Sequence, residues 1–180
     1  MQFRTRGTPE QIPPNHPRPD AALSPAMTAV AGGARRRALR DGDRRVDTAH
    51  LLHSLVESDD AVRDVFGGAP QLARVLGYLV QRSIGYGLRW QGAREASGAV
   101  PVVRTPTGEG WSSPAAEALE RAARGAARRG RSHADGLDLL AALLADPRCR
   151  AVEVLERAGV EVAELASRTE ARLTAGETPW

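Results

Sequence analysis

The sequence contains no lysine: all 25 basic residues among its 180 are arginine. A P-loop of the G-x-x-x-x-G-K-[ST] type needs a lysine on the phosphates, so a P-loop NTPase of that type is excluded. Schiff-base and lysine-nucleophile chemistry are excluded with it. An arginine-only basic set is equally what a GC-rich genome produces. Cys149 is the single cysteine, so no intrachain disulfide can form, which fits a reducing compartment. Aromatic residues make up only 4% of the chain, leaving Leu, Val and Ala to build the core. That composition, poor in β-branched residues, favours helix. There is no run of about 18 apolar residues, so no membrane span and no membrane partner are expected. The amino-terminus lacks an apolar h-region, so no signal peptide is expected and the reading is cytoplasmic. The net charge of +3, with a pI near 9.9, permits acidic partners without demanding nucleic acid.

What is present is helical and duplicated. Residues 1–22 carry Pro9, Pro13, Pro14, Pro17 and Pro19 with almost no apolar periodicity, and read as a disordered tail. Ser24-Pro25 is an N-cap with proline at the first helical position, predicting a helix to about Arg40 that stops near Gly42. Thr48 opens a second helix with Leu51, Leu52, Leu55 and Val56 on one face. A short third carries Val62, Val65 and Phe66. Pro70 starts a fourth with Leu72, Val75, Leu76, Leu79 and Val80 at helical spacing. Residues 85–110 break the pattern with repeated Gly and Pro, and form a long connection in which Val100, Val102 and Val103 read as strand-like. The pattern then restarts. Ser113-Pro114 repeats Ser24-Pro25, and the following helix stops at Gly130. Leu137, Leu139, Leu140, Leu143 and Leu144 repeat the second helix, Val152, Val154 and Leu155 the third, and Val162, Leu165 and Leu173 the fourth.

The Leu51-Leu52-x-x-Leu55 and Leu139-Leu140-x-x-Leu143 groups stand 88 residues apart, the two Ser-Pro pairs 89. One residue lost before the second helix of the second half reconciles the spacings. The expected architecture is therefore all-α: two pseudo-repeats of four helices, an eight-helix bundle. Repeat one covers 23–84 and repeat two 111–173, the domain as a whole 23–173, with 174–180 a carboxy-terminal tail. Each half alone is too small to bury much surface, so the two should pack together.

This duplicated pattern resembles the Clp N-terminal (Clp repeat) domain, the helical module at the front of the Clp unfoldase ATPases, the ClpC type especially. In that family each repeat opens with an aromatic-Thr-Pro-like start, followed about 24 residues later by Thr-Glu-His-(Ile/Leu)-Leu-x-x-Leu. Ser24 takes the opening position and Thr48-Ala49-His50-Leu51-Leu52-His53-Ser54-Leu55 matches the second segment. In repeat two, Ser113-Pro114 and Leu137-Asp138-Leu139-Leu140-Ala141-Ala142-Leu143 take those places, with Ser112 where an aromatic is expected and Trp111 one residue earlier.

The resemblance implies a non-catalytic module that binds proteins or peptides, works with a Clp ATPase as adaptor or regulator of chaperone-related proteolysis, or sequesters the ATPase's ligands as a decoy. No ATPase module fits within these residues, so the expectation is a freestanding version of the domain. Any peptidase designation would rest on that association alone. Some relatives bind phosphoarginine through a Thr and a Glu of each repeat. The Thr positions fall on Ser24 and Ser113, the Glu positions on Ala49 and about Leu137, so no carboxylate stands ready for a guanidinium. Other relatives bind cyclic peptide antibiotics on an apolar patch between the repeat starts. The resemblance places the ligand groove here at Leu23, Ser24, Met27, Trp111, Ser113 and Leu119.

Other constellations weigh less. His50 and His53 are three apart on a helix but lack further ligands nearby in sequence, so they read as surface or capping residues and no metal or other cofactor is expected. Asp47 reads as a helix cap. Ser24 and Ser113 read as caps, with no Ser-His-Asp pattern to make them nucleophiles. Arginines cluster at the ends of the first helices of both repeats: Arg35, Arg36, Arg37, Arg40, Arg44 and Arg45, then Arg121, Arg124, Arg128, Arg129 and Arg131. They suit helix C-termini. The functional alternative is a basic surface, with Arg36, Arg40, Arg124 and Arg128 at its centre, that serves acidic partners or makes the chain a nucleic-acid-associated regulator. No helix-turn-helix signature or aromatic stacking set supports nucleic acid.

Overall fold

Helix starts and stops set the frame. The computed structural model describes residues 23–83 and 110–176. The tail before Leu23, the connection carrying Val100, Val102 and Val103, and residues 177–180 lie outside them. Ser24 is extended and its hydroxyl accepts from the Met27 amide at 3.2 Å, so α1 (Pro25–Asp41) begins with proline at its first position. It ends at Gly42, whose φ of +74° lets its amide turn back to the Ala38 and Leu39 carbonyls. In the second repeat Gly130, with φ +73°, stands at the matching place after α5 (Ser113–Arg128).

The cap of α5 is Ser112, not Ser113. The Ser112 hydroxyl accepts from the Ala115 amide at 3.2 Å, while Ser113 already lies inside the helix and Pro114 in its first turn. This corrects the repeat register. Ser24 and Ser112 are 88 residues apart, the same offset as the leucine groups and as Gly42 and Gly130. No residue is lost between the repeats over their first two helices, and Trp111 stands directly before its cap, as Leu23 does.

The second helices open alike. Asp47 caps α2 (Thr48–Ser58) and Asp135 caps α6 (Gly136–Leu144), each in a capping box closed by the third helical residue, His50 in one and Asp138 in the other. Repeat one continues with α3 (Asp60–Asp64) and α4 (Ala69–Ser83), repeat two with α7 (Arg150–Arg157) and α8 (Val162–Ala175). Val65 and Phe66 fall just beyond α3 rather than on it, yet both remain buried. The described residues thus form eight helices and no strand beyond isolated bridges, as the pattern predicts.

The leucine-rich helices occupy the centre. α1 packs on α2 and α5 on α6, and α2 also meets α6 and α7. Leu51, Leu52, Leu55, Leu139, Leu140 and Leu143 are buried together in one cluster that runs through both repeats. Burying a leucine side chain contributes about 1.5–3 kcal/mol, so these six supply a large share of what holds the halves together.

Candidate functional site: the joint between the repeats

Two short crossovers tie the repeats, and they obey the 88-residue offset. Leu23 bridges Ala134, and Val46 bridges Trp111. The Ser24 amide donates to the Ala134 carbonyl at 3.2 Å, and the Ser112 amide donates to the Val46 carbonyl at 2.8 Å. The start of each repeat is therefore held by the loop that precedes the second helix of the other. This pseudo-twofold exchange satisfies backbone groups that a free helix start would leave to water.

Of the residues expected to line a groove, Leu23 and Trp111 make the two bridges. Leu23, Met27 and Leu119 are buried in the common core, and Trp111 keeps only 9% of its surface. Each lies on the inward face of its segment. The indole of Trp111 is covered by the Arg35 guanidinium, 4.8 Å from the ring centroid, a cation–π contact from α1 to the start of repeat two. Ser24 and Ser113 are partly exposed and reach the surface. At the repeat starts, Arg35 is exposed and Ser24 and Ser113 partly so, above side chains that are buried. The Ser24 hydroxyl is engaged as a cap and makes no hydrogen bond to a histidine among the described residues.

Beside the joint lies a buried ionic cluster that the sequence does not announce. Asp47 is 4% exposed and accepts from the His50 amide at 3.0 Å. Its other oxygen meets Arg82 from the last turn of α4 and Arg150 from the start of α7, the latter at 2.9 Å. His50 is buried, accepting the Asp47 amide on Nδ1 at 3.1 Å, with its Nε2 3.2 Å from Asp43 and 3.5 Å from Asp41. The Ala151 amide donates to the Thr48 hydroxyl at 3.0 Å, fastening α7 to the same end of α2. Burial alone would raise the Asp47 pKa, but the hydrogen bond with His50 and the charges of Arg82, His50 and Arg150 outweigh it and hold the carboxyl well below the usual range. Asp43, Asp47 and His50 bring their ligand atoms within 4.8 Å of one another, a spacing a metal ion could bridge. The Arg82 guanidinium touches all three, so the cationic position among them is already filled by the protein's own side chain.

The histidines do not act together. His53 faces the opposite way from His50 along the chain's partners, against Arg37 at 3.2 Å and Glu57 at 3.1 Å. Both are buried, so His50 is the capping residue the sequence allows and neither is a surface one. Burial and the Arg37 charge lower the His53 pKa to about 4, against the opposing pull of Glu57. The unfolded chain then binds more protons than the folded one between about pH 4 and the ordinary histidine value near 6.5. His53 accordingly contributes stability that is complete above about pH 6.5 and lost as the pH falls towards 4. Urea midpoints should decrease from neutral pH to pH ~4.5, and His53→Gln should flatten that decrease. An unchanged slope in the variant would assign the acid sensitivity elsewhere.

Repeat two answers the ionic cluster with a different set. Asp138, at the position of His50, accepts from the Asp135 amide at 2.9 Å and meets Arg131 and Arg129, the latter at 3.2 Å. Burial and the neighbouring Asp135 carboxylate raise its pKa, with the Asp135 amide and Arg131 acting against them. For Arg131, Asp135 and Asp138 outweigh burial and raise the pKa.

The two arginine clusters therefore divide by role. Arg37, Arg129 and Arg131 hold carboxylates, and Arg121 donates to the Ala142 carbonyl at 2.8 Å. Arg36, Arg40, Arg124 and Arg128 are exposed and make no ion pair with a described residue. A separate open depression of about 410 Å³ lies between α3 and α8. Its arginines, Arg168 and Arg172, already face Glu164 at 3.7 Å and Asp64 at 3.9 Å. Among the described residues no helix is long and apolar enough to cross a membrane.

Comparison with known proteins agrees with this geometry. Residues 111–179 match the family model described as the Clp repeat (R) N-terminal domain. A solved chain from a malarial protein secretion system superposes with a TM-score of 0.60 at 16% identity, over 87% of this chain and 95% of that one. The N-terminal domain of the caseinolytic protease associated chaperone ClpD from Arabidopsis thaliana superposes with a TM-score of 0.59 at 18% identity, over 85% of this chain and 95% of that one. No curated protein sequence matches the chain.

Proposed function

We propose, from the match of residues 111–179 to the Clp repeat N-terminal domain and from a fold shared with such a domain, that this chain is a non-catalytic protein- or peptide-binding module acting with a Clp ATPase as adaptor or regulator. The observation that supports this most is the pair of symmetric crossovers, which ties the start of each repeat to the other, and on this reading the partly exposed Ser24 and Ser113 and the exposed Arg35 would meet the ligand. Leu23, Met27, Trp111 and Leu119 shape that joint from beneath. A face of mixed polar and apolar character suits extended polypeptide or a cyclic peptide. Phosphoarginine is not the expected ligand: Ala49 is wholly buried and neither it nor Leu137 can pair with a guanidinium.

Retention of a Clp ATPase by the immobilised chain tests the adaptor role. Ser113→Arg, which loads the rim without touching the Ser112 cap, should weaken that retention about tenfold. If the chain holds an unfolded protein such as reduced casein but no Clp ATPase, it is a decoy. If it holds neither, the binding-module reading fails.

A further inference from the structure

The outer face of α1 is basic in a way that its counterpart in repeat two is not. Arg36 and Arg40 lie four residues apart on one stripe, both exposed and unpaired among the described residues. Arg44 and Arg45 extend the charge into the following loop and are likewise exposed. The single carboxylate of α1, Asp41, is turned inward and accepts from the Ser83 hydroxyl at 2.9 Å. No acidic side chain of α1 therefore offsets these arginines. Between Arg36 and Arg40 stands Leu39, 82% exposed, the most exposed large apolar side chain among the described residues. Gly32 and Ala29, seven and ten residues before Leu39, continue the stripe with small residues. At the matching positions of α5, Arg124 and Arg128 flank Ala127 rather than a leucine, and Glu117 and Glu120 are exposed earlier on the helix. The arginine symmetry is thus incomplete where it matters for binding.

Favourable charge at a helix C-terminus explains arginines at the end of α1. It does not explain an apolar side chain held almost fully in water among them. We propose that the Arg36–Leu39–Arg40 face of α1, continued by Arg44 and Arg45, is a second docking surface that takes an acidic polypeptide segment anchored by an apolar side chain. Guanidinium groups pair with carboxylates in fork geometry, and an exposed leucine supplies the contact that a nucleic acid backbone has no use for. This face begins at Arg36, the residue after Arg35 on α1, and its test reads Arg36, Leu39 and Arg40, none of them residues of the proposed rim, so its outcome is separate from whether that rim binds peptide.

Fluorescence anisotropy with three labelled probes tests the assignment: a glutamate-rich peptide with leucines at helical spacing, an all-glutamate peptide, and a DNA duplex. The leucine-bearing acidic peptide should bind most tightly. Arg36→Glu with Arg40→Glu should weaken it about tenfold or more, and Leu39→Ala alone by about tenfold. Arg124→Glu with Arg128→Glu should cause a clearly smaller loss. All changes are at exposed positions, and unchanged circular dichroism confirms the fold. Equal losses from the two double variants, or equal binding of both acidic peptides, would reduce the surface to diffuse charge and overturn the proposal. Tighter binding of the duplex would replace it with a nucleic-acid surface, and no binding of any probe would remove it.

Discussion

Asp47→Ala should lower the free energy of unfolding by about 3–5 kcal/mol, the usual cost of breaking a buried ion pair by removing one partner. The carboxylate does three things at once. It caps α2 through the His50 amide, and it is the common counter-charge for Arg82 and Arg150, which arrive from α4 and α7. Removing it leaves two guanidinium groups beside a buried histidine. Asp47→Asn should fall between wild type and alanine, because the amide oxygen still caps the helix while the charge is gone. Asp135 supplies the control. It caps the equivalent helix in repeat two, but its side chain is 50% exposed. Asp135→Ala should cost only about 1 kcal/mol, the ordinary value of an N-cap. Guanidinium unfolding curves with unchanged m-values decide the matter. If the two alanine variants lose equal stability, the ionic cluster contributes nothing beyond capping. The sign of the pKa shift adds a pH signature. The Asp47 contribution is present above the unfolded carboxylate value near 3.8 and is lost only below it, whereas that of His53 is already lost between about pH 6.5 and 4.

That cluster also shows where sequence reading stops. Helix starts, the Gly42 and Gly130 stops and the leucine face of α2 and α6 follow from contacts within one or two turns, so their residues stand close together in the chain and are legible there. Asp47, Arg82 and Arg150 come from three helices, and only their cap function leaves a local trace. The choice between Ser112 and Ser113 fails for the same reason. Ser112 and Ser113 are consecutive serines ahead of Pro114, and the Val46 carbonyl of the other repeat accepts from the amide of the extended Ser112. The exposures of the residues assigned to a groove were not legible. Met27 and Trp111 look like a ligand patch in the sequence, yet both are buried, and the Arg35 guanidinium stands over the indole. Leu39 is the converse: an apolar residue in a helix pattern is expected inside, and only the packed structure shows that it faces out.

The repeat interface itself predicts the second large effect. Gly136 opens α6 where repeat two meets the end of α2. A Cβ built there would lie 2.0 Å from Asp59 Oδ2, 2.8 Å from its Cγ and 3.1 Å from Leu55 Cδ1. Asp59 cannot simply swing away, because its Oδ1 caps α3 by accepting from the Val62 amide at 3.1 Å. Leu55 cannot retreat either, being fully buried in the shared core. Gly136→Ala should therefore destabilise by about 2–4 kcal/mol, from overpacking together with the loss of the Asp59 cap. This runs against the ordinary preference of a helix for alanine over glycine. Gly77, exposed on α4 with nothing near its Cβ position, shows that preference undisturbed, and Gly77→Ala should stabilise by about 0.5–1 kcal/mol. Asp59→Ala should relieve much of the cost of Gly136→Ala when the two are combined, because the clash and the cap share one side chain. A double-mutant cycle in guanidinium with no coupling between positions 59 and 136 would mean that the repeats shift apart to admit the methyl group, and that the joint is looser than its two crossovers imply.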